Sequence, residues 1–577
     1  MSEIRVWGPK PRKVELQLDA QRLEMHPDQH GWWRIEHDAI QPGADYSFFL
    51  DDAGPFPDPR SQFQPHGVHG PSRVVDHHAF RWAAGRFQAR PLSSAIVYEL
   101  HVGTFTPEGT FTAAIDRLDH LAHLGVTHVE LMPVQEFSGR WGWGYDGVDL
   151  FAPHHAYGSP DDLKRLVDAA HARGLAVLLD VVYNHLGPAG NYLDRFGPYF
   201  TTRYSTPWGP AVNLDSAGSA EVRRFLCDNA IMWLRDYRFD GLRMDAIHAI
   251  HDSSAIHFLA QLAREIDQLE AHLGRSLVLI AESDLNYPRV VTPREAGGYG
   301  IDAQWSDDFH HALHTVLTGE RAGYYADFGS FADLARTLTN AYAYDGRYSV
   351  YRDAIHGAKP LNLDGWRFLG YLQNHDQVGN RPMGDRISRS IRPGRLKIGV
   401  ALVFCSPFVP MLFHGEEFRA SAPFLYFTQH EDPELARAVS EGRRREFSSF
   451  NWDPEDVPDP QDPATFQRSK LDWNELAREP HKSMLVFYKR LVDLRREFPE
   501  LSDGCLERVR VDFDEASRWI TVTRGRIALL ANLGESAQTV SAPFEATPLI
   551  SSEPDFPERS SAWLLSPDSL LIVAAVS

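Results

Sequence analysis

Four short segments of the chain close apolar runs with residues that can do acid–base chemistry. They are Leu179-Asp180-Val181-Val182-Tyr183-Asn184-His185, Gly241-Leu242-Arg243-Met244-Asp245-Ala246-Ile247-His248, Ile280-Ala281-Glu282-Ser283-Asp284 and Leu372-Gln373-Asn374-His375-Asp376-Gln377. An acidic residue that ends an apolar strand is costly unless it is solvated, paired or put to use. A pair of facing carboxyl groups is the equipment of glycosidic cleavage: one protonates the leaving oxygen, the other attacks the anomeric carbon or activates water. Asp245 and Glu282 close consecutive strands, the shortest route to the roughly 5 Å separation of a covalent, retaining reaction. Arg243 lies two residues before Asp245, so on a strand it points the same way and would hold that carboxylate ready to attack. The apolar run ahead of Glu282 suits the general acid. Asp376 would be a third carboxylate, facing an oxocarbenium-like charge, and His185 and His375 could hold sugar hydroxyls.

These groups need a scaffold that gathers strand ends. From Ala95 onward, apolar strands alternate with helices. Strands are expected at Ala95–Leu100, Val126–Val134, Leu175–Val182, Phe239–Met244 and Leu277–Ala281, and near Ile301–Trp305, Trp366–Leu372 and Phe408–Phe413. Between them run a helix carrying Ile115, Leu118, Leu121 and Leu124, one opened by Ser159 and Pro160, and two over Ala220–Tyr237 and Ser254–Leu273. Continuous apolar strands between helices predict a parallel sheet covered on both faces. Eight such units fit an α/β fold of the (β/α)8 TIM-barrel type with insertions, whose reactive groups collect at the C-terminal ends of the strands. The first 90 residues alternate apolar and polar positions between Pro/Gly turns and predict a β-sandwich, in which Trp32 and Trp33 pack. The expected division is a sandwich over 1–90, the barrel over 91–490 and a C-terminal all-β domain over 491–577.

Composition narrows the partners. The 577 residues carry Lys+Arg 58 against Asp+Glu 78, a net charge of −20. That balance repels phosphate backbones and anionic lipid, so neither nucleic acid nor membrane is an expected partner. The run Arg443-Arg444-Arg445 is short and flanked by Glu441 and Glu446. The longest apolar stretch, Ile398 to Phe413, contains Pro407 and Pro410 and falls short of the roughly 20 residues of a membrane helix. Three scattered cysteines exclude a disulfide framework or a Cys-rich zinc site, and with no signal-like N-terminus they predict a cytoplasmic protein. No GxGxxG follows the first barrel strand, so a dinucleotide fold has no support. His310, His311 and His314 share helical spacing, but without a His-Glu-x-x-His pattern or a Cys partner they read as packing or hydroxyl-binding groups. Asp453 to Asp462 reads as a solvated loop.

Taken together and in order, the four segments resemble the signature segments of the α-amylase family of glycoside hydrolases. The resemblance implies Asp245 as nucleophile, Glu282 as general acid/base and Asp376 as transition-state stabiliser. Further stretches are similar to the malto-oligosyltrehalose trehalohydrolases within that family: Asp58 to Ser72, Trp143 to Val148, Asn191 to Gly209, Trp305 to His314, and His414-Gly415-Glu416-Glu417. That group cleaves the α-1,4 bond next to a terminal trehalose and releases trehalose, which makes maltooligosyltrehalose the expected substrate. The resemblance implies that Tyr145 stacks under the sugar at the cleavage point. It also implies that Arg243, His248, Asp308, Phe309, His310, His375 and Gln377 line the subsites. Asp180 reads equally as a substrate contact and as a structural partner of Arg243. Many α-amylases use the residue equivalent to Asn184 as a calcium ligand, but no acidic calcium loop accompanies it here, so neither metal nor cofactor is expected. A glycogen branching or debranching enzyme is the alternative: it shares the three carboxylates and differs in the acceptor and the +1 pocket. A metal-assisted enolising enzyme would want a Lys or His base on another strand end, and Met132-Pro133-Val134 supplies no Lys.

Overall fold

In the structure, a computed structural model that describes residues 2–448, 457–553 and 559–576, eight strands close a parallel barrel. They are β1 (Val97–Leu100), β2 (His128–Leu131), β3 (Ala176–Val181), β4 (Gly241–Met244), β5 (Val278–Ala281), β6 (Ala303–Trp305), β7 (Phe368–Tyr371) and β8 (Val409–Phe413), with β8 pairing back to β1. Apart from Val278 every residue in them is buried, which is why most of their positions are apolar and show no apolar–polar alternation. The register sets the chemistry: Asp180 is the cross-strand partner of Arg243, and Met244 of Ala281. Asp245 and Glu282 therefore leave neighbouring strands at the same level.

The covering helices are α1 (Pro160–Ala172), α2 (Ser219–Asp236), α3 (Phe258–Leu273), α4 (Asp307–Thr318), α5 (Pro393–Cys405) and α6 (His481–Glu497). Helix α1 begins as its residues predict: Ser159 caps Asp162, and Asp162 returns a bond to the Ser159 amide. Two elements differ from expectation. The periodic run Ile115–Leu124 is two helices, Phe111–Ile115 and Leu118–Leu124, interrupted at Asp116-Arg117. Helix α3 starts at Phe258 and not at Ser254, because Asp252 draws the amides of Ser254 and Phe258 at 2.8 and 2.6 Å and holds that stretch out of the helix.

At the N-terminus two small antiparallel sheets form, one from Ser2–Trp7, Trp32–His37 and His26–Pro27, the other centred on Val14–Leu18 and Asp45–Leu50. Trp33 donates to the Gly8 carbonyl at 2.9 Å and packs within this region. Edge-on contacts of Trp7 with Tyr199 and Phe48 with Phe196 seat it on the barrel. The C-terminal sheet has six antiparallel strands and begins at Val509. The expected break at 490–491 falls inside α6, whose Leu491, Val492, Leu494 and Arg495 are buried. That helix is the last piece of the barrel's wall. Of the stretch Asp453 to Asp462, residues 453–456 lie outside the described residues. The rest is anchored and not merely solvated: Val457 is buried and Asp459 accepts from Ser440 at 2.7 Å. Among the described residues no helix is long and apolar enough to cross a membrane.

Candidate active site

One guanidinium organises the mouth of the barrel. Arg243 is wholly buried. Its Nη1 donates to Asp180 Oδ2 at 2.7 Å and to Asp245 Oδ1 at 3.1 Å. Its Nη2 forms an ion pair with Glu282 Oε2 at 2.9 Å, off the line of a hydrogen bond. The sequence predicts Asp245, and as one of two readings Asp180, as partners of Arg243; Glu282 shares it as well, so three carboxylates meet one guanidinium. The planar fork permits this where a point-like ammonium would not.

Each carboxylate has further anchors. Asn184 Nδ2 donates to Asp245 Oδ2 at 2.8 Å and to the Asp245 carbonyl at 2.9 Å. Glu282 Oε2 accepts from the Ala246 amide at 2.8 Å. Ala246 has φ 40, a left-handed conformation that is uncommon for a residue with a Cβ and aims that amide at Glu282. Asp376 sits in the first turn of a short helix capped by Asn374, accepts from Asn380 at 3.1 Å and, at 36% exposed, is more open than Asp245 or Glu282. Burial pushes the Asp180 carboxyl up to about 7, Arg243 opposing and the charge of Asp245 adding. Tyr145 donates to Asp180 at 2.7 Å, and its ring stacks on His375 with centroids 5.1 Å apart.

His375, just after β7, is fastened from β1, two strands along the closed barrel. Glu99 on β1 accepts from its amide and from Nδ1. Burial opposes the imidazolium, but Asp376 and Glu99 raise it to about 9, so the ring is a cation beneath Asp376. His185 bonds Asn184 and stacks under the half-exposed Trp208 at 4.6 Å. His248 is exposed on the turn after β4. Gln377 spends its Oε1 on the amide of Asn374.

The residues of α4 are placed differently from the subsite lining expected of them. Phe309 is fully buried edge-on against Phe408 and belongs to the core. His310 is buried between the Leu372 carbonyl and the Tyr325 hydroxyl. Asp308 accepts from Asn286 and from the amides of Ala343 and Tyr344, which pins a loop. Asp307, one position earlier, holds the Tyr371 hydroxyl. Burial pushes its carboxyl up to about 8, with Tyr371 opposing and Glu282, Asp284 and Asp376 adding. Successive helical positions are rotated by about 100°, so Asp307 and Asp308 point in different directions from α4.

Residues 75–204 match the family model of the alpha amylase catalytic domain, and residues 506–572 match a domain of unknown function, DUF3459. A malto-oligosyltrehalose trehalohydrolase of Arthrobacter ramosus is 49% identical over 534 residues, covering 92% of each chain. One of Saccharolobus solfataricus is 43% identical over 557 residues, covering 96% of this chain and 95% of the relative. The chain belongs to the malto-oligosyltrehalose trehalohydrolase family. A crystal structure of a Salmonella typhimurium protein described provisionally as an alpha amylase superposes with TM-score 0.91 at 40% identity, covering 99% of this chain and 97% of the other. A pullulanase from Anoxybacillus in complex with maltotetraose shares the fold, with TM-score 0.74 at 19% identity, covering 100% and 86%.

Sequence reasoning missed three features of this trehalohydrolase-family site. Glu99 and Glu130 hide inside the apolar strands β1 and β2. Glu130 has no partner for either oxygen, and burial, with Glu99 and Asp180 adding, pushes its carboxyl well above the usual range. Glu136, His154 and His155 bring possible metal-ligand atoms within 4.8 Å of one another. There Glu136 already accepts from the amide and Nδ1 of His155 at 2.7 and 2.8 Å, which serves as a loop anchor without a metal.

Proposed function

We propose that the protein hydrolyses the α-1,4-glucosidic bond next to the terminal trehalose of maltooligosyltrehalose with retention, releasing trehalose and a maltooligosaccharide. The observation that carries this reading is the shared guanidinium: Asp245 and Glu282 are held by the two terminal nitrogens of Arg243. A span of one fork and two short contacts is compatible with the roughly 5–5.5 Å of a retaining pair. The names of the full-length relatives support the substrate.

In this mechanism Glu282 gives its proton to the glycosidic oxygen as Asp245 Oδ attacks the anomeric carbon. The C–O bond to the leaving trehalose breaks and a glycosyl ester on Asp245 forms. Glu282, now a carboxylate, takes a proton from water, whose oxygen displaces Asp245 and restores the original configuration. Asp376 faces the positive charge that develops on the ring, and the imidazolium of His375 keeps it oriented. Tyr145 offers its ring to the sugar and its hydroxyl to Asp180.

The test is product analysis on maltooligosyltrehalose beside amylopectin, with NMR of the first-formed anomer. Trehalose and an α-anomeric maltooligosaccharide are expected. Linear chains freed from amylopectin branches with no trehalose would assign the debranching reaction instead, and new α-1,6 linkages the branching one.

A further inference from the structure

A cavity of about 630 Å³ opens where three helix-to-strand turns meet, those that follow α1, α2 and α3. These turns lead into β3, β4 and β5, so the cavity lies at the end of the barrel opposite Asp245 and Glu282. Its outer wall is the stretch 82–88, on the connection between the N-terminal sheets and the barrel. Asp168 on α1 holds that stretch by accepting from the amides of Ala83 and Ala84 at 2.9 and 2.8 Å.

The lining is basic, in a chain of net charge −20. Much of that charge is already employed. His171 and Arg275 share the buried Asp240 at 2.8 and 2.9 Å, and Arg275 also caps the carbonyls of Leu234 and Phe239. Arg235 pairs with Asp236 at 2.7 Å. This is ordinary service for arginine at helix C-termini. Arg86 and Arg238 are different: neither has a hydrogen bond or ion pair with any described residue. Arg238 is partly buried, and its guanidinium lies 4.3 Å from the centroid of the Trp82 ring. Burial lowers its pKa, and only Asp168 opposes that. Its backbone is left-handed, with φ 58. A stacked guanidinium with five N–H donors and no acceptor is half of a binding site. Trp82 and Phe87, the latter stacked on His171 at 4.2 Å, supply the apolar wall beside it.

From this lining we infer a second ligand site, distinct from the catalytic mouth, that takes a phosphate monoester of a small sugar or nucleoside. Its phosphate is gripped by Arg86 and Arg238 and its organic body lies against Trp82 and Phe87. Arginine forks match phosphate oxygens in charge and geometry. A partly open cavity of about 630 Å³ has room for a small molecule, and the acidic remainder of the surface repels a polyanion such as nucleic acid. This assignment does not depend on which glucan the mouth cleaves.

Calorimetric titration of the intact protein with glucose 6-phosphate, AMP and inorganic phosphate tests it. At least one ester should bind saturably at one site per chain, more tightly than inorganic phosphate, and the two ester arms distinguish a sugar from a nucleoside body. Arg238→Ala and Arg86→Ala should each weaken that binding tenfold or more and leave glucan hydrolysis unchanged. Arg86 is exposed, so its variant probes the site without risk to folding. Three results would overturn the inference: no saturable binding of either ester, binding that survives both substitutions, or equal affinity for inorganic phosphate.

Discussion

Buried arginines occur at both the catalytic mouth and the seam between the barrel and the C-terminal sheet, and they are compensated in opposite ways. At the mouth Arg243 meets three carboxylates. At the seam Arg495 donates to the carbonyls of Phe404, Ser406 and Phe408 at 2.7, 3.2 and 2.7 Å. Arg524 likewise serves Cys405, Glu500 and Asp503 carbonyls. Dipoles satisfy a buried cation without adding another ionisable group, which is what a permanent joint needs. The mouth accumulates acids in excess of its cations, a cost to stability that only chemistry explains.

Asp245→Asn should lower kcat on the order of 10⁴-fold or more while the melting temperature stays or rises, since the change removes one of the crowded charges. A large loss of stability with little loss of turnover would invert the assignment. Arg243→Lys should cost roughly 10²-fold in kcat/KM, because an ammonium cannot span three carboxylates and the acids drift apart. Steady-state kinetics with a thermal melt separates that drift from unfolding. Arg495→Met should do the reverse, costing about 3 kcal/mol as carbonyls at the seam lose their donor, with kcat unchanged in the folded fraction. Denaturant melts and active-site titration read both quantities.

The smallest effect concerns Glu99→Gln. The imidazolium of His375 is raised to about 9 in the fold against 6.5 for the free group. Its stabilising contribution is therefore fully present below about pH 6.5 and is lost as pH rises through about 9. Without the Glu99 charge that loss should shrink and move to lower pH. Chemical denaturation at pH values between 6 and 10 checks it, and an unchanged profile would remove Glu99 from the account.

The barrel was readable because its strands are buried on both faces, and the acids were readable because a charge at the end of such a run is conspicuous. Glu99 and Glu130 were not conspicuous. They lie within strands of the same type, and no local pattern tells a barrel interior from its outside. Likewise His375 and Glu99 are 276 residues apart, and only barrel closure joins them. In Asp307-Asp308-Phe309-His310 the residue types were visible but the rotation of α4 was not. The contacts of Phe309 with Phe408 and of Asp308 with a distant loop decide which acid turns inward. The late start of α3 follows from Asp252, whose competing bonds no periodicity records.

The peptide between Asp245 and Ala246 has a consequence of its own. Its N–H is the donor that Glu282 leans on, while the residue before it is the one that would carry the sugar. Any pull on Asp245 that tilts this peptide is felt by its neighbour at once. The left-handed bend at Ala246 thus makes a single rigid plate the mechanical link between the two halves of the catalytic cycle.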